Sequence, residues 1–201
     1  MPSGKAQWWA KVTNAHSIES LPGGWIAVAS STGKDGNKVL LFDSKVPELP
    51  MAAAALPSAH GLVWDETRRT LWALGYEELL ACEARTELPL ELIVKARYPL
   101  PDKDGHDLRA VPGSADLILS TDHHVWRFDR EKKEFRPDPV LGDHKLVKCT
   151  EPNAAGRLLV VQASEEKWWT DEIHFHNPDA KLKIPGEKIY KARWMDVREV
   201  P

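Results

Sequence analysis

Four segments of this chain share one pattern: a basic residue, a short strand, a turn cluster, then an apolar strand. They open at His16 (HSIESLPGGWIAVASS), His60 (HGLVWDETRRTLWALG), His106 (HDLRAVPGSADLILST) and Lys145 (KLVKCTEPNAAGRLLVVQ), and a truncated fifth opens at Tyr190 (YKARWM). Counted from the numbering, the starts lie 44, 46, 39 and 45 residues apart. A period of roughly 40–50 residues built from short strands is that of β-propeller blades. The expectation is an all-β chain, a single β-propeller domain over residues 1–201 with four clear blades.

The strands within each repeat can be read in turn. In GWIAVASS, Trp25, Ala27 and Ala29 alternate with Ile26 and Val28, and both sets are apolar. Such a strand is buried on both faces, as in the middle of a blade. LWALG (71–75), LILST (117–121) and LLVVQ (158–162) repeat the pattern, and a third strand follows each: KVLLFD, ELLACE, HVWRFD and EIHFHN. Among outer strands ELIVKARYPL (91–100) is the clearest, while the Pro-rich stretches 47–57 and 99–101 read as crossovers between blades. The terminal segments WWAKVTN and KIYKARWMDV read as lone strands of a fifth, partial blade. If they fail to pair with each other, the arc stays open, and its edges invite a homodimer or a partner chain.

Composition narrows the function. A net charge of −3 over 201 residues leaves no basic excess for a polyanion, so neither nucleic acid nor an anionic membrane is an expected partner. No run approaches the ~18 apolar residues of a membrane span. The first residues carry no apolar signal core, which predicts a cytoplasmic protein, or a secreted one if a leader has been removed. Cys82 and Cys149 lie in different repeats inside apolar strands and read as buried thiols. Nine tryptophans suit packing between blades. The doublets Trp8-Trp9 and Trp168-Trp169 also suit sugar stacking, because adjacent strand residues face opposite sides and one of each pair looks outward.

The run PSGKAQWWAKVTNAHSIESLPGGWIAVASSTG, with AHGLVWDETRRTLWALG, GHDLRAVPGSADLILST and the closing YKARWM, resembles an uncharacterised bacterial family of six-bladed β-propellers, labelled a domain of unknown function. The resemblance covers nearly the whole chain. It implies a fold and no reaction. It also implies about two further blades before the PSGK segment.

In a propeller the first strand of each blade lines the central channel. The openings His16, His60, His106, Lys145 and Tyr190 then form one tier, and Glu19, Val63, Arg109, Lys148 and Arg193, three positions on, form a second about 10 Å deeper at ~3.3 Å per residue. His16, His60 and His106 are candidates for a divalent metal, which imidazoles ligate, or for general bases. Arg109, Lys148 and Arg193, with Lys145 nearby and Glu19 and Asp107 opposite, suit a carboxylate or phosphate, or else salt bridges across the channel. The expected ligand-binding set is therefore His16, Glu19, His60, His106, Asp107, Arg109, Lys145, Lys148, Tyr190 and Arg193. The leading reading is a binding module for a small polar or anionic ligand, carbohydrate included. One alternative is a lyase or hydrolase acting on a uronate, lactone or sugar-like substrate, with a channel-mouth histidine as base. Another is a protein-interaction scaffold or subunit of a larger assembly. No phosphate loop, nucleophile elbow or paired-cysteine motif is present, and His174-x-His176 reads as peripheral.

Overall fold

In the computed structural model residues 6, 8–87 and 89–195 are described, and every regular element among them is a β-strand. Sixteen strands form four antiparallel sheets, each of four strands in chain order. The first blade is β1 (Ala15–Leu21), β2 (Trp25–Ser30), β3 (Lys38–Asp43) and β4 (Ala52–Ala55). The second is β5 (Gly61–Asp65), β6 (Thr70–Leu74), β7 (Glu78–Arg85) and β8 (Glu91–Pro99). The third is β9 (Asp107–Ala110), β10 (Asp116–Ser120), β11 (Val125–Asp129) and β12 (Glu134–Pro137). The fourth is β13 (Val147–Pro152), β14 (Leu158–Gln162), β15 (Glu172–His176) and β16 (Ala180–Lys183). No helix among the described residues is long and apolar enough to cross a membrane.

The chain divides into two compact units, residues 1–100 and 101–201, of two blades each. In the first unit the faces of blades one and two close on Ala27, Ala29, Val39, Leu41, Leu56, Leu62, Leu71, Leu80 and Cys82. The other face of blade one carries Val28, Leu40 and Phe42, covered by Trp8, Ala10 and Val12. In the second unit blades three and four close on Ile118, Val125, Leu141, Val147, Leu158 and Val160. The other face of blade four, with Cys149, Leu159, Val161 and Ile173, is covered by Ile189, Ala192 and Trp194. The middle strands β6 and β10 are buried on both faces, as the doubled apolar pattern requires. Both cysteines are free and buried.

Turn chemistry joins the strands. Leu21 pairs with Trp25 across a turn in which Gly23 and Gly24 adopt φ of 80° and 81°, a conformation costly for any side chain bearing a Cβ.

Two expectations need correction. The terminal segments form no strand among the described residues. Residues 8–12 instead lie against blade one, Trp8 meeting Phe42 edge-on at 5.7 Å, and residues 189–194 lie against blade four. The stretch 47–57 is not only a crossover, since Ala52–Ala55 forms the outer strand β4. The outer strands β12 and β16 lie in segments with little strand signal, in contrast to ELIVKARYPL.

The tryptophan doublets split between burial and exposure, although neither lies in a strand. Trp8 is half-buried while Trp9 is 70% exposed, and Trp169 is half-buried while Trp168 is 63% exposed. All four residues of the outermost strand β16 are exposed. Lys181 and Lys183 alternate there with Ala180 and Leu182, and Lys183 Nζ reaches Glu172 Oε1 at 3.2 Å.

Candidate functional site

The pairing register decides which residues are equivalent. His60 and His106 each donate a backbone N–H across the hairpin, to Leu74 O and Ser120 O, both at 2.8 Å. Asp107 pairs with Ser120 in blade three, and Cys149 pairs with Val161 in blade four, so the counterpart of His106 is Lys148. The two lie 42 residues apart. Lys148 sits in a bulge between Val147 and Cys149, as His16 sits in one between Ala15 and Ser17. Lys145 is therefore not the opening residue of its blade. It is exposed, ahead of β13, and its carbonyl accepts from Gln162 Nε2 at 2.8 Å. The inner positions are His16, His60, His106 and Lys148, and three residues on come Glu19, Val63, Arg109 and Glu151.

In the first unit the imidazoles of His16 and His60 meet at 4.0 Å between ring centroids. His60 Nδ1 donates to Ser58 O at 2.7 Å, with the Ser58 and Ser31 hydroxyls at 3.2 and 3.4 Å. His16 Nε2 lies 3.1 Å from Asn14 Oδ1. Glu19 is half-buried on β1. These positions carry hydrogen bonds and ring packing.

In the second unit the inner positions carry charge. Two connections supply the site, residues 101–106 before β9 and residues 121–124 between β10 and β11. Asp102 ties them together, taking His124 Nδ1–H at 2.6 Å and Trp126 Nε1–H at 3.1 Å. Asp104 is held with a φ of 68°, a left-handed conformation that Asp tolerates better than most residues. His106 Nε2 lies 2.7 Å from Asp122 Oδ1, and Lys148 Nζ lies 2.6 Å from the same nitrogen and 2.9 Å from the same oxygen. In one tautomer Nε2 donates to Asp122, and in the other it accepts from Lys148.

Burial, and then the Lys148 charge, lower the His106 imidazole to about 4, so it is neutral at neutral pH. Burial pushes Asp122 up, but hydrogen bonds from His106 and Lys148 outweigh it and hold the carboxyl at about 2. Burial, then the charge of Asp122 and a hydrogen bond to it, raise Asp104. His106 and Lys148 are each 7% exposed, while the Asp122 side chain is 31% exposed and opens the cluster to solvent.

Behind this triangle lies a second layer. Buried Asp107 accepts from Arg193 at 2.7 Å, from Lys191 at 3.0 Å and from the Thr150 backbone at 3.1 Å. Burial opposes its ionisation, but the two cations prevail and its carboxyl titrates below the ordinary range. Glu151 takes Arg109 Nε at 2.6 Å and Arg193 Nε at 3.4 Å, though burial still raises it. Arg193 also donates to Cys149 Sγ, whose thiol burial pushes up to about 12. The basic residues Arg109, Lys148 and Arg193 are thus each spent on a carboxylate of the same unit.

Tyr190 stands beside this cluster. Its hydroxyl is raised above the usual range by burial and then by the charges of Asp107, Asp104 and Asp122. Exposed Trp168 meets its ring edge-on at 5.7 Å. His174 and His176 engage Glu172 and Asp179, both at 3.3 Å, on the outer part of blade four.

Of the three histidines expected as metal ligands, only His106 joins a convergent group of His, Cys, Asp or Glu among the described residues. Its partners are Asp104 and Asp122, the three ligand atoms lying within 4.8 Å of one another. Neither aspartate was among the expected site residues, nor was Glu151. The signal was present in Asp102-Lys103-Asp104-Gly105 and Thr121-Asp122, but it is the signal of a turn as much as of a ligand.

A family profile described as "Family of unknown function (DUF6528)" matches residues 90–199. No curated protein matches the chain. Among solved structures, Kuenenia stuttgartiensis hydrazine synthase is similar with a TM-score of 0.59 at 10% identity, over 87% of this chain and 49% of that one. The outer coat vertex of COPII on membranes gives 0.57 at 11%, over 85% and 51%. The extracellular domain of the putative one-component system BT4673 from B. thetaiotaomicron gives 0.59 at 9%, over 86% and 25%. The chain spans about half the length of the first two. At such identities the likeness is one of fold, the β-propeller.

Proposed function

The chain belongs to the DUF6528 family of unknown function, and we propose that its β-propeller is a binding module for a small polyhydroxy ligand of the carbohydrate class. The ligand is held in the second unit by Asp122, Asp104 and Lys148, against the ring pair Trp168 and Tyr190. The observation that carries this reading is the triangle of His106, Lys148 and Asp122, buried on its protein side and open at Asp122. Sugar hydroxyls both donate and accept, which suits a carboxylate beside an ammonium. An exposed indole suits the apolar face of a pyranose.

Two features favour a neutral ligand over an anion and binding over turnover. Arg109, Lys148 and Arg193 are already matched by Glu151, Asp122 and Asp107. A general base works best with a pKa near the operating pH, whereas His106 is lowered to about 4.

Calorimetry on a panel of neutral hexoses, hexosamines, uronates and sugar phosphates tests the reading. Neutral sugars are expected to bind. Asp122→Ala is expected to weaken binding about 10–100-fold, the value of one or two hydrogen bonds to a charged group, and Trp168→Ala about tenfold. Binding that is confined to phosphates, or that both variants leave intact, contradicts it.

A further inference from the structure

We propose that Asp104, His106 and Asp122 form a divalent-cation site, of the Zn²⁺ or Mn²⁺ type, for which the ammonium of Lys148 is a built-in competitor. Two carboxylate oxygens and one imidazole nitrogen are a donor set suited to those borderline ions. Donors bound to one ion at 2.0–2.2 Å in tetrahedral geometry stand about 3.3–3.6 Å apart, and these three lie within 4.8 Å, so side-chain adjustments of up to about an ångström close them on an ion.

The cluster already selects a cation. Lys148 Nζ touches two of the three ligand atoms, at 2.6 Å from His106 Nε2 and 2.9 Å from Asp122 Oδ1. One ammonium does not balance two facing carboxylates, and a divalent ion does. The two occupants exclude each other, because the metal needs the His106 lone pair that the ammonium takes. Lysine sits on a four-carbon stem with three rotatable donors and can swing out as an ion enters. The supporting geometry is in place, since Asp102 locks the loops bearing Asp104 and Asp122 to one another through His124 and Trp126.

The test uses the full chain and the metals alone. Titration calorimetry with Zn²⁺ and with Mn²⁺ is expected to show one equivalent bound to the parent protein. Lys148→Met is expected to bind at least about tenfold tighter, as loss of a like charge at the site requires. His106→Ala and Asp122→Asn are expected to lose the site. A Lys148→Met protein that binds no tighter than the parent overturns the proposal, as does binding that survives His106→Ala. If Lys148→Met does not fold, Lys148→Gln removes the same charge and takes its place. Sugar binding measured in chelator tests the ligand reading separately, so either can fail alone.

Discussion

The two units place different chemistry at equivalent positions of their first strands. In residues 1–100 the inner positions are His16 and His60, whose rings meet at a tilt of 52°, with His60 bonded to a backbone carbonyl. In residues 101–201 they are His106 and Lys148, which share Asp122. One position further on, the contrast repeats. Gly61 carries no side chain, whereas Asp107 is a buried carboxylate holding two cations. Three positions on from the inner residues the first unit has Glu19 and the apolar Val63, while Arg109 and Glu151 form an ion pair in the second. Blade two, with His60, Gly61 and Val63, shows that a blade can be built without this charge. Buried charge costs folding free energy unless it is matched. Its concentration in one unit is what favours placing the proposed site there.

The contrast is sharpened by removing the charge, and the largest effect is expected at Asp107. Asp107→Ala strands Arg193 and Lys191 beside a buried void and should cost about 3–5 kcal/mol by chemical denaturation. The same substitution type has no counterpart at Gly61. A loss under 1 kcal/mol would mean that the second layer is as dispensable as the first unit suggests.

The next effect is on pH. His106 titrates at about 4 in the folded chain and near 6.5 when unfolded, so the unfolded chain takes up the proton first as pH falls. Its contribution is complete above about pH 6.5 and is lost towards pH 4, on the order of 2–3 kcal/mol. Denaturation at pH 7.5 and 4.5 in chelator should show this fall, and His106→Leu should flatten it.

His60→Ala, which removes one hydrogen bond and a ring contact, should cost about 1–2 kcal/mol. A cost equal to that at Asp107 would break the comparison. The smallest effect belongs to Lys145→Ala, a change at an exposed side chain expected to stay within about 0.5 kcal/mol by thermal denaturation.

Much of the fold was legible in the sequence because blade strands are chemically loud. Doubly apolar middle strands and turn clusters announced β2, β6, β10 and β14, and the segments that follow them announced β3, β7, β11 and β15. The outer strand β4 was silent because four alanines carry little β signal and prolines flank them. The fourth repeat was misaligned for a local reason. Lys145-Leu146-Val147-Lys148 offers two lysines three apart, and the bulge at Lys148 with Leu146 at a φ of 58° makes the second the true opening. The site was only half legible. Residues on first strands, such as His106, Asp107 and Arg109, could be found by their place in the repeat. Asp104 and Asp122 sit on connections, where acidic residues usually serve the turn itself.

The outermost strand of blade four has a consequence for how this protein behaves in concentrated solution. Among the described residues it pairs with β15 on one side, and its other rim offers backbone donors and acceptors to any passing strand, encounters that crowding multiplies. Lys181 and Lys183 guard that rim, because a docking strand would have to strip water from two ammoniums and part them from Glu172 and Asp171. Acetylation of the two lysines is expected to remove that guard.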